Sequence, residues 1–194
     1  MASIAPSRAA PPPPPQDEEG EDSGASARER LLAGAKHDNE ELVEEALNEL
    51  EDINHVDGLG NTALHYAIIH ASTSTLEPIL CHDSCDVDIR NRQNGDTPLH
   101  IAVRQRWEDS EGLRLYLVQS LLEAGADTKI RNRYNEKPVD LLPRPDSSAD
   151  PNSDDEQVRA ALRKAEAEAM VADRGDIVQE DDLIDPNDVA SDSD

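Results

Sequence analysis

Residues Gly95 to Val103 read GDTPLHIAV, and an imperfect copy, GNTALHYAI, occupies Gly60 to Ile68. Gly60 stands opposite Gly95, Thr62 opposite Thr97, Leu64 opposite Leu99, His65 opposite His100 and Ala67 opposite Ala102, always about 35 residues apart. A constant offset of this size predicts a stacked array of one supersecondary unit. Each unit of such an array is half a core, apolar on two sides and stable only against its neighbours.

Each copy opens on a turn, DGLGN at Asp57 to Asn61 and NRQNGD at Asn91 to Asp96, whose glycines suit positive φ. Thr62 and Thr97 are then in place as N-caps, with Pro98 at the first helical position, where its missing N–H costs nothing. A second helix follows in each copy. In the first, Ser74 and Glu77 have capping-box spacing and Leu76, Ile79 and Leu80 form the apolar stripe. In the second, the stripe is Leu117, Val118, Leu121 and Leu122, ending in EAGAD with Gly125 as the left-handed C-cap. Upstream, Ser26 and Glu29 have capping-box spacing for a short helix, ARERLLAGAKH, and Asp38 or Asn39 caps another that carries Leu42, Val43, Ala46, Leu47 and Leu50.

A turn, a helix with TPLHxA and a second helix ending in LLEAGAD together resemble the ankyrin repeat, over roughly Ala27 to Leu142. The resemblance implies an all-α fold, a short ankyrin-repeat solenoid of two full repeats plus degenerate N- and C-terminal capping units. The C-terminal unit, RNRYNEKPVDLL, puts Asn135 at the glycine position, Lys137 at the threonine position and Asp140 at the histidine position. It also implies that His65 and His100 hydrogen-bond within and between turns and tie the stack together. The second full repeat carries about seven extra residues around RQRWEDSEGL. That insertion places Trp107, the single tryptophan, either as a partner contact or as a cover over neighbouring helix ends.

Hydrophobic residues make up 36% of the chain, with one Trp, three Tyr and no Phe, a core suited to small stacked modules rather than a large globule. The formal charge is -25, distributed as net -10 over residues 1–52, -3 over 53–145 and -12 over 146–194. This distribution divides the chain into a proline-rich and acidic segment 1–25 expected to be disordered, an ankyrin domain 26–145, an acidic linker with an amphipathic helix 146–174, and an acidic, disordered tail 175–194. In the third of these, Ser153 and Glu156 have capping-box spacing, and Val158, Ala161, Leu162, Ala165 and Ala169 share one face of a helix expected to pack on the end of the stack. The acidic ends either keep the chain soluble or hold a basic partner; they argue against direct contact with nucleic acid.

No apolar run is long enough for a membrane span and no signal peptide opens the sequence, so an intracellular chain without a disulfide is expected. The cluster Cys81, His82 and Cys85 lacks a second pair at zinc-finger distance and reads as packing. There is no phosphate loop, nucleophile elbow or H-E-x-x-H, and the carboxylates stand in solvated runs. The expectation is a non-enzymatic binding protein with no cofactor and no metal.

The resemblance implies a partner surface made of turn tips and the exposed face of the first helices. By position these residues are Lys36, His37, Leu59, Asn61, Ile69, His70, Gln93, Asp96, Arg104, Gln105, Arg133, Tyr134 and Glu136, joined by Trp107 from the insertion. Leu59, Ile69 and Tyr134 are the apolar anchors. In overall layout the chain resembles the fungal ankyrin-repeat chaperones dedicated to the KH-domain-bearing protein of the small ribosomal subunit. That resemblance implies a monomer, cytoplasmic and nuclear, that binds a newly made basic ribosomal protein, prevents its aggregation and escorts it to assembly. The alternatives are a signalling or transcriptional adaptor and an inhibitory regulatory subunit with an unrelated partner.

Overall fold

The computed structural model describes residues 25–107, 110, 112–144 and 152–175. The readings made for residues 1–24 and 176–194 lie outside these. The described residues form seven α-helices and one 3-10 turn, with no strand: α1 Ala27–His37, α2 Glu40–Glu49, α3 Ala63–His70, α4 Thr73–Leu80, α5 Pro98–Arg104, α6 Leu113–Glu123, the 3-10 turn Pro138–Leu141 and α7 Asp154–Gly175.

Local chemistry sets most of the helix ends. Ser26 and Glu29 form the reciprocal box that starts α1, with Glu29 N–H donating to Ser26 Oγ and Ser26 N–H to Glu29 Oε2. Asp38 ends that helix in the left-handed region at φ 53°, and Asn39 Oδ1 then accepts from Leu42 N–H at 3.0 Å to start α2. At the end of α6, Ala126 N–H returns to the Leu121 carbonyl and Gly125 N–H to the Leu122 carbonyl, with Gly125 at φ 90°.

The helix α4 departs from its expected cap. Ser72, not a Ser74–Glu77 box, stands at its N-cap position and makes no side-chain cap. The free N–H groups are instead met by Asp38 of the preceding unit, whose carboxylate accepts from Ser74 N–H at 3.0 Å, Ser74 Oγ at 3.1 Å and Thr75 N–H at 3.2 Å. A cap supplied from 36 residues away leaves no mark in local spacing.

The first helices α1, α3 and α5 pack side by side as an inner row, which the 3-10 turn continues. In the outer row α2 packs on α4, and α7 packs on α6. The last unit is therefore a fourth repeat in shape. Its first helix is cut to one turn because Leu142, preceding Pro143, is pushed to extended backbone (ψ 145°). Its second helix is α7. The buried core of Leu31, Val43, Ile68, Leu76, Leu99, Val103, Leu117, Leu121, Val158 and Leu162 runs from α1 to α7 and contains no aromatic side chain.

Arginines fix α7 in place. Arg114 on α6 is buried, donating to the Val103 carbonyl and to Asp154 at 2.8 Å and Asp155 at 2.7 Å. Arg106 adds an ion pair to Asp155 at 2.9 Å, and Arg159 of α7 donates to the Pro143 carbonyl. The insertion after α5 thus carries part of the lock for the end of the stack.

Two glycines are required by geometry. Gly60 has φ 79°, and a Cβ there would stand 2.6 Å from Arg92 N; Gly95 has φ 68°, and a Cβ there would stand 2.9 Å from Arg133 Cγ. Gly60→Ala is expected to lower stability by roughly 1–3 kcal/mol through strained backbone and a backbone clash. Gly58→Ala, with open space around the added atom, is expected to be near neutral, and urea denaturation of the two variants checks the contrast. Arg114→Ala removes charge-assisted hydrogen bonds of about 2–3 kcal/mol, and limited proteolysis should then cut readily between the 3-10 turn and α7.

Candidate partner-binding face

Between the helix pairs the chain forms three fingers, residues 54–61, 88–96 and 129–137. Each closes around an Asx side chain. Asp57 Oδ1 accepts from the N–H groups of Leu59 and Asn61 at 2.8 Å, Asn91 Oδ1 from Asn94 and Asp96 at 3.1 and 3.2 Å, and Asn132 Oδ1 from Tyr134 and Glu136 at 2.9 and 3.0 Å. Arg92 N–H donates to the Leu59 carbonyl and Arg133 N–H to the Asn94 carbonyl, both at 2.8 Å, so adjacent fingers touch. The arginine of each later finger lies across the glycine of the finger before it.

Exposed charge is sorted by side of the molecule. Within residues 54–61, 88–96 and 129–137 every exposed charged residue is basic, Arg90, Arg92, Lys129, Arg131 and Arg133, while Asp86 and Asp127, exposed just before the second and third of these spans, are acidic. Among the described residues none of these five forms an ion pair. On the outer helices α2, α4 and α6 every exposed charged residue is acidic: Glu40, Glu41, Glu44, Glu45, Glu49, Glu77 and Glu123. The inner helices add Lys36, His37, His70 and Arg104 near their C-terminal ends, where positive charge also suits the helix dipole.

The expected site residues divide accordingly. Leu59 and Tyr134 are exposed at 47% and 68% on the finger tips, with Gln93 and Arg133 beside them. Lys36, His37 and His70 are exposed, while Ile69, Gln105 and Glu136 are half-buried. Gln105 is engaged within the stack, donating to the Ile69 carbonyl at 2.8 Å.

Three expected residues do not belong to this face. Asn61 is 4% exposed, its N–H and carbonyl both bonded to Asp57. Asp96 is 1% exposed, its carboxylate taken by Arg104 and by Asn132 Nδ2 at 3.1 Å. Both stand where the finger turns inward to start a helix: the backbone of Asn61 and the carboxylate of Asp96 serve the turn, and Asn61 Oδ1 is buried without a hydrogen-bond partner among the described residues. Trp107 is half-buried against the core and lines a cleft of about 460 Å³ beside Arg114 and the start of α7, which makes it a cover for that junction.

Four of the five finger bases, Arg90, Arg92, Lys129 and Arg131, were not anticipated. For the three arginines the signal is a second repeated phrase, IRNR, at Ile89–Arg92 and again at Ile130–Arg133; Lys129 stands just before it. Alternation buries Asn91 and Asn132, at 6% and 5% exposure, and turns the flanking arginines to solvent.

The electrostatics of buried groups follow from their partners. Burial pushes the Asp96 carboxyl up, but Arg104 and Asn132 outweigh it and hold the pKa below the usual value. For Asp57, burial is likewise outweighed by the Tyr66 hydroxyl, 2.5 Å away, and by backbone N–H groups. His70 is lowered by burial and then by the nearby charges of Lys36 and His37.

His65 and His100 link successive units. His65 Nδ1 accepts from Thr62 N–H at 3.2 Å and Oγ1 at 2.9 Å, and its Nε2 donates to the Asp96 carbonyl at 3.3 Å. His100 repeats this with Thr97 and with the Glu136 carbonyl, at 2.8 and 3.1 Å. A carbonyl only accepts, so Nε2 carries the proton and Nδ1 is bare. Burial lowers the pKa of both rings, against opposing contributions from those carbonyls.

Among the described residues no group of His, Cys, Asp or Glu is placed to hold a metal, and no helix is long and apolar enough to cross a membrane. Cys81 is exposed, and burial raises the thiol pKa of Cys85 to about 11.

The family model for ankyrin repeats in three copies matches residues 31–132, more than half of the chain, and the chain belongs to the ankyrin-repeat family. It is 39% identical over 129 residues to the ankyrin repeat-containing protein YGL242C of Saccharomyces cerevisiae, covering 61% of this chain and 71% of that protein. It is also 35% identical over 85 residues to NF-kappa-B inhibitor zeta of Bos taurus and of Homo sapiens, covering 43% of this chain and 11% of each inhibitor. Ankyrin repeats are protein-interaction modules, so the partner of this chain is a protein.

The histidine links make the stack acid-sensitive. Their folded pKa values are depressed, so their contribution is complete above the unfolded value of about 6.5 and is lost as pH falls, by up to about 1.4 kcal/mol per pH unit for each ring. The urea midpoint is expected to drop between pH 7.5 and 5.5, and His65→Gln with His100→Gln, which keeps a donor and an acceptor, should flatten that drop.

Proposed function

We propose that this chain is a non-enzymatic binding protein that holds a segment of another protein along its fingers and inner helices, and that the segment carries acidic and apolar residues together. The observation that carries this reading is the sorting of exposed charge, which leaves five bases without an ion pair among the described residues on the same fingers as Leu59 and Tyr134. Apolar side chains on the partner would anchor on those two residues while its carboxylates meet the arginines, giving contact that is steered by charge and weakened by salt. The likeness to NF-kappa-B inhibitor zeta supports the same class, an adaptor or inhibitory subunit.

A second reading is favoured by the opposite face, where α2 carries five exposed glutamates, and by the formal charge of -25. In it the chain is a dedicated chaperone of a newly made basic protein of the small ribosomal subunit, of the KH-domain-bearing kind. It would keep that client soluble between cytoplasm and nucleus, with countercharge supplied by α2 and by the acidic ends.

Capture of partners by the full chain at low and moderate salt separates the two. We expect a dominant partner that is lost with Arg92→Glu, Arg131→Glu and Arg133→Glu combined and kept with Glu40→Lys, Glu41→Lys and Glu44→Lys combined. A basic ribosomal protein that shows the reverse pattern would replace the first reading with the second.

A further inference from the structure

We propose that the finger face is also the docking site of this chain's own acidic segment, residues 176–194, which competes there with the partner. The inference rests on the reading of that face as a site for acidic and apolar segments and adds its regulation.

Three observations carry it. First, the five finger bases are exposed and, among the described residues, none forms an ion pair, Arg131 and Arg133 donating only to the Asn135 and Gln93 carbonyls, in a chain whose overall formal charge is -25. A basic row without an ion pair among the described residues attracts an acidic segment of the same chain, and the exposed glutamates of α2, α4 and α6 repel that segment, whereas α7 exposes Arg163 and Lys164 beside its acids. Second, the path of α7 leads towards this row. The helix α7 starts at Arg114, at the beginning of α6, and its Ala165, Glu168 and Ala169 line a hollow with Asp127, Thr128 and Lys129 at the base of the third finger. It therefore runs in the same direction as α6 and releases the chain at Gly175 on the finger side, about 9 Å beyond Ala169 at the helical rise.

Third, the composition of the segment matches the face. Residues 176–194, DIVQEDDLIDPNDVASDSD, hold eight acids and no base, with Ile177, Val178, Leu183, Ile184 and Val189 set among the acids. Carboxylates interspersed with apolar side chains are what a row of arginines around Leu59 and Tyr134 would take. Adjacent fingers are in hydrogen-bond contact, and 19 extended residues reach up to about 60 Å, enough to cross all three. Tethering raises the effective concentration to about the millimolar range, so individually weak contacts suffice.

The test uses the full chain and a synthetic peptide of residues 176–194 as the probe. A full-length variant in which all eight acids of the segment become amides (Asp176→Asn, Glu180→Gln, Asp181→Asn, Asp182→Asn, Asp185→Asn, Asp188→Asn, Asp192→Asn and Asp194→Asn) should bind the peptide about tenfold or more tighter than the unaltered chain, because its own segment no longer competes. Adding Arg92→Glu, Arg131→Glu and Arg133→Glu should abolish that binding, with circular dichroism unchanged. Equal affinity in the unaltered and neutralised chains overturns the proposal, as does absence of peptide binding in both. If the peptide result is negative while partner capture still depends on the finger arginines, the self-docking is wrong and the partner reading stands. If neither depends on the arginines, both fall. Binding of a polyanion such as RNA in preference to the peptide would assign the face to nucleic acid and also overturn the proposal.

Discussion

The bond from a buried imidazole to the carbonyl of the next finger is the contact on which the stack depends. His65 and His100 each cap their own helix through Nδ1 and reach forward through Nε2, to Asp96 and Glu136 respectively. One ring thus satisfies a helix start and couples two units. Because Nε2 must donate and Nδ1 must accept, only the neutral ring serves both purposes. The same connection holds the fingers in register, since the residues receiving the bonds lie at the foot of the second and third fingers.

With the fingers in register, the short side of each turn becomes a place for the next. Gly60 and Gly95 give up their side chains, and Arg92 and Arg133 occupy the space. The outcome is a basic row whose members are spaced by the repeat itself. Burial decides what else the row contains: Asp96 would cancel part of its charge but is drawn inward and bound by Arg104 and Asn132. The acids that make the chain so negative lie elsewhere, on α2 and at the two ends. A modest net charge of -3 over residues 53–145 therefore conceals two faces of opposite sign.

The end of the stack illustrates how a degenerate unit is completed. The 3-10 turn is too short to cover α5 and α6 by itself, and α7 supplies the missing outer helix. Its hold combines apolar burial of Val158 and Leu162 with the buried guanidinium of Arg114, whose charge is answered by Asp154 and Asp155. The insertion of the preceding repeat contributes Arg106 to the same junction, and Trp107 roofs it. Of an insertion that looked like a candidate for partner contact, Arg106 and Trp107 thus lie against the junction that closes the stack.

Much of this was legible in the residues themselves. The repeat of GNTALHYAI and GDTPLHIAV, the threonine caps, the glycines of the turns and the apolar stripes are local signals, because turns, caps and helix faces are decided within a few residues. The exposed Leu59, Tyr134 and Arg133 followed from position in the repeat. What the tertiary structure alone decided involves groups far apart in the chain: Asp38 capping α4, Arg114 joining α6 to α7, Asn61 and Asp96 withdrawn from the surface, and the sorting of arginine from glutamate onto opposite faces. The charge of a face is the sum over residues brought together by stacking, and each residue's share depends on whether burial and partners leave it open to solvent. Composition counts every charge equally, whereas the fold determines which of them a partner meets.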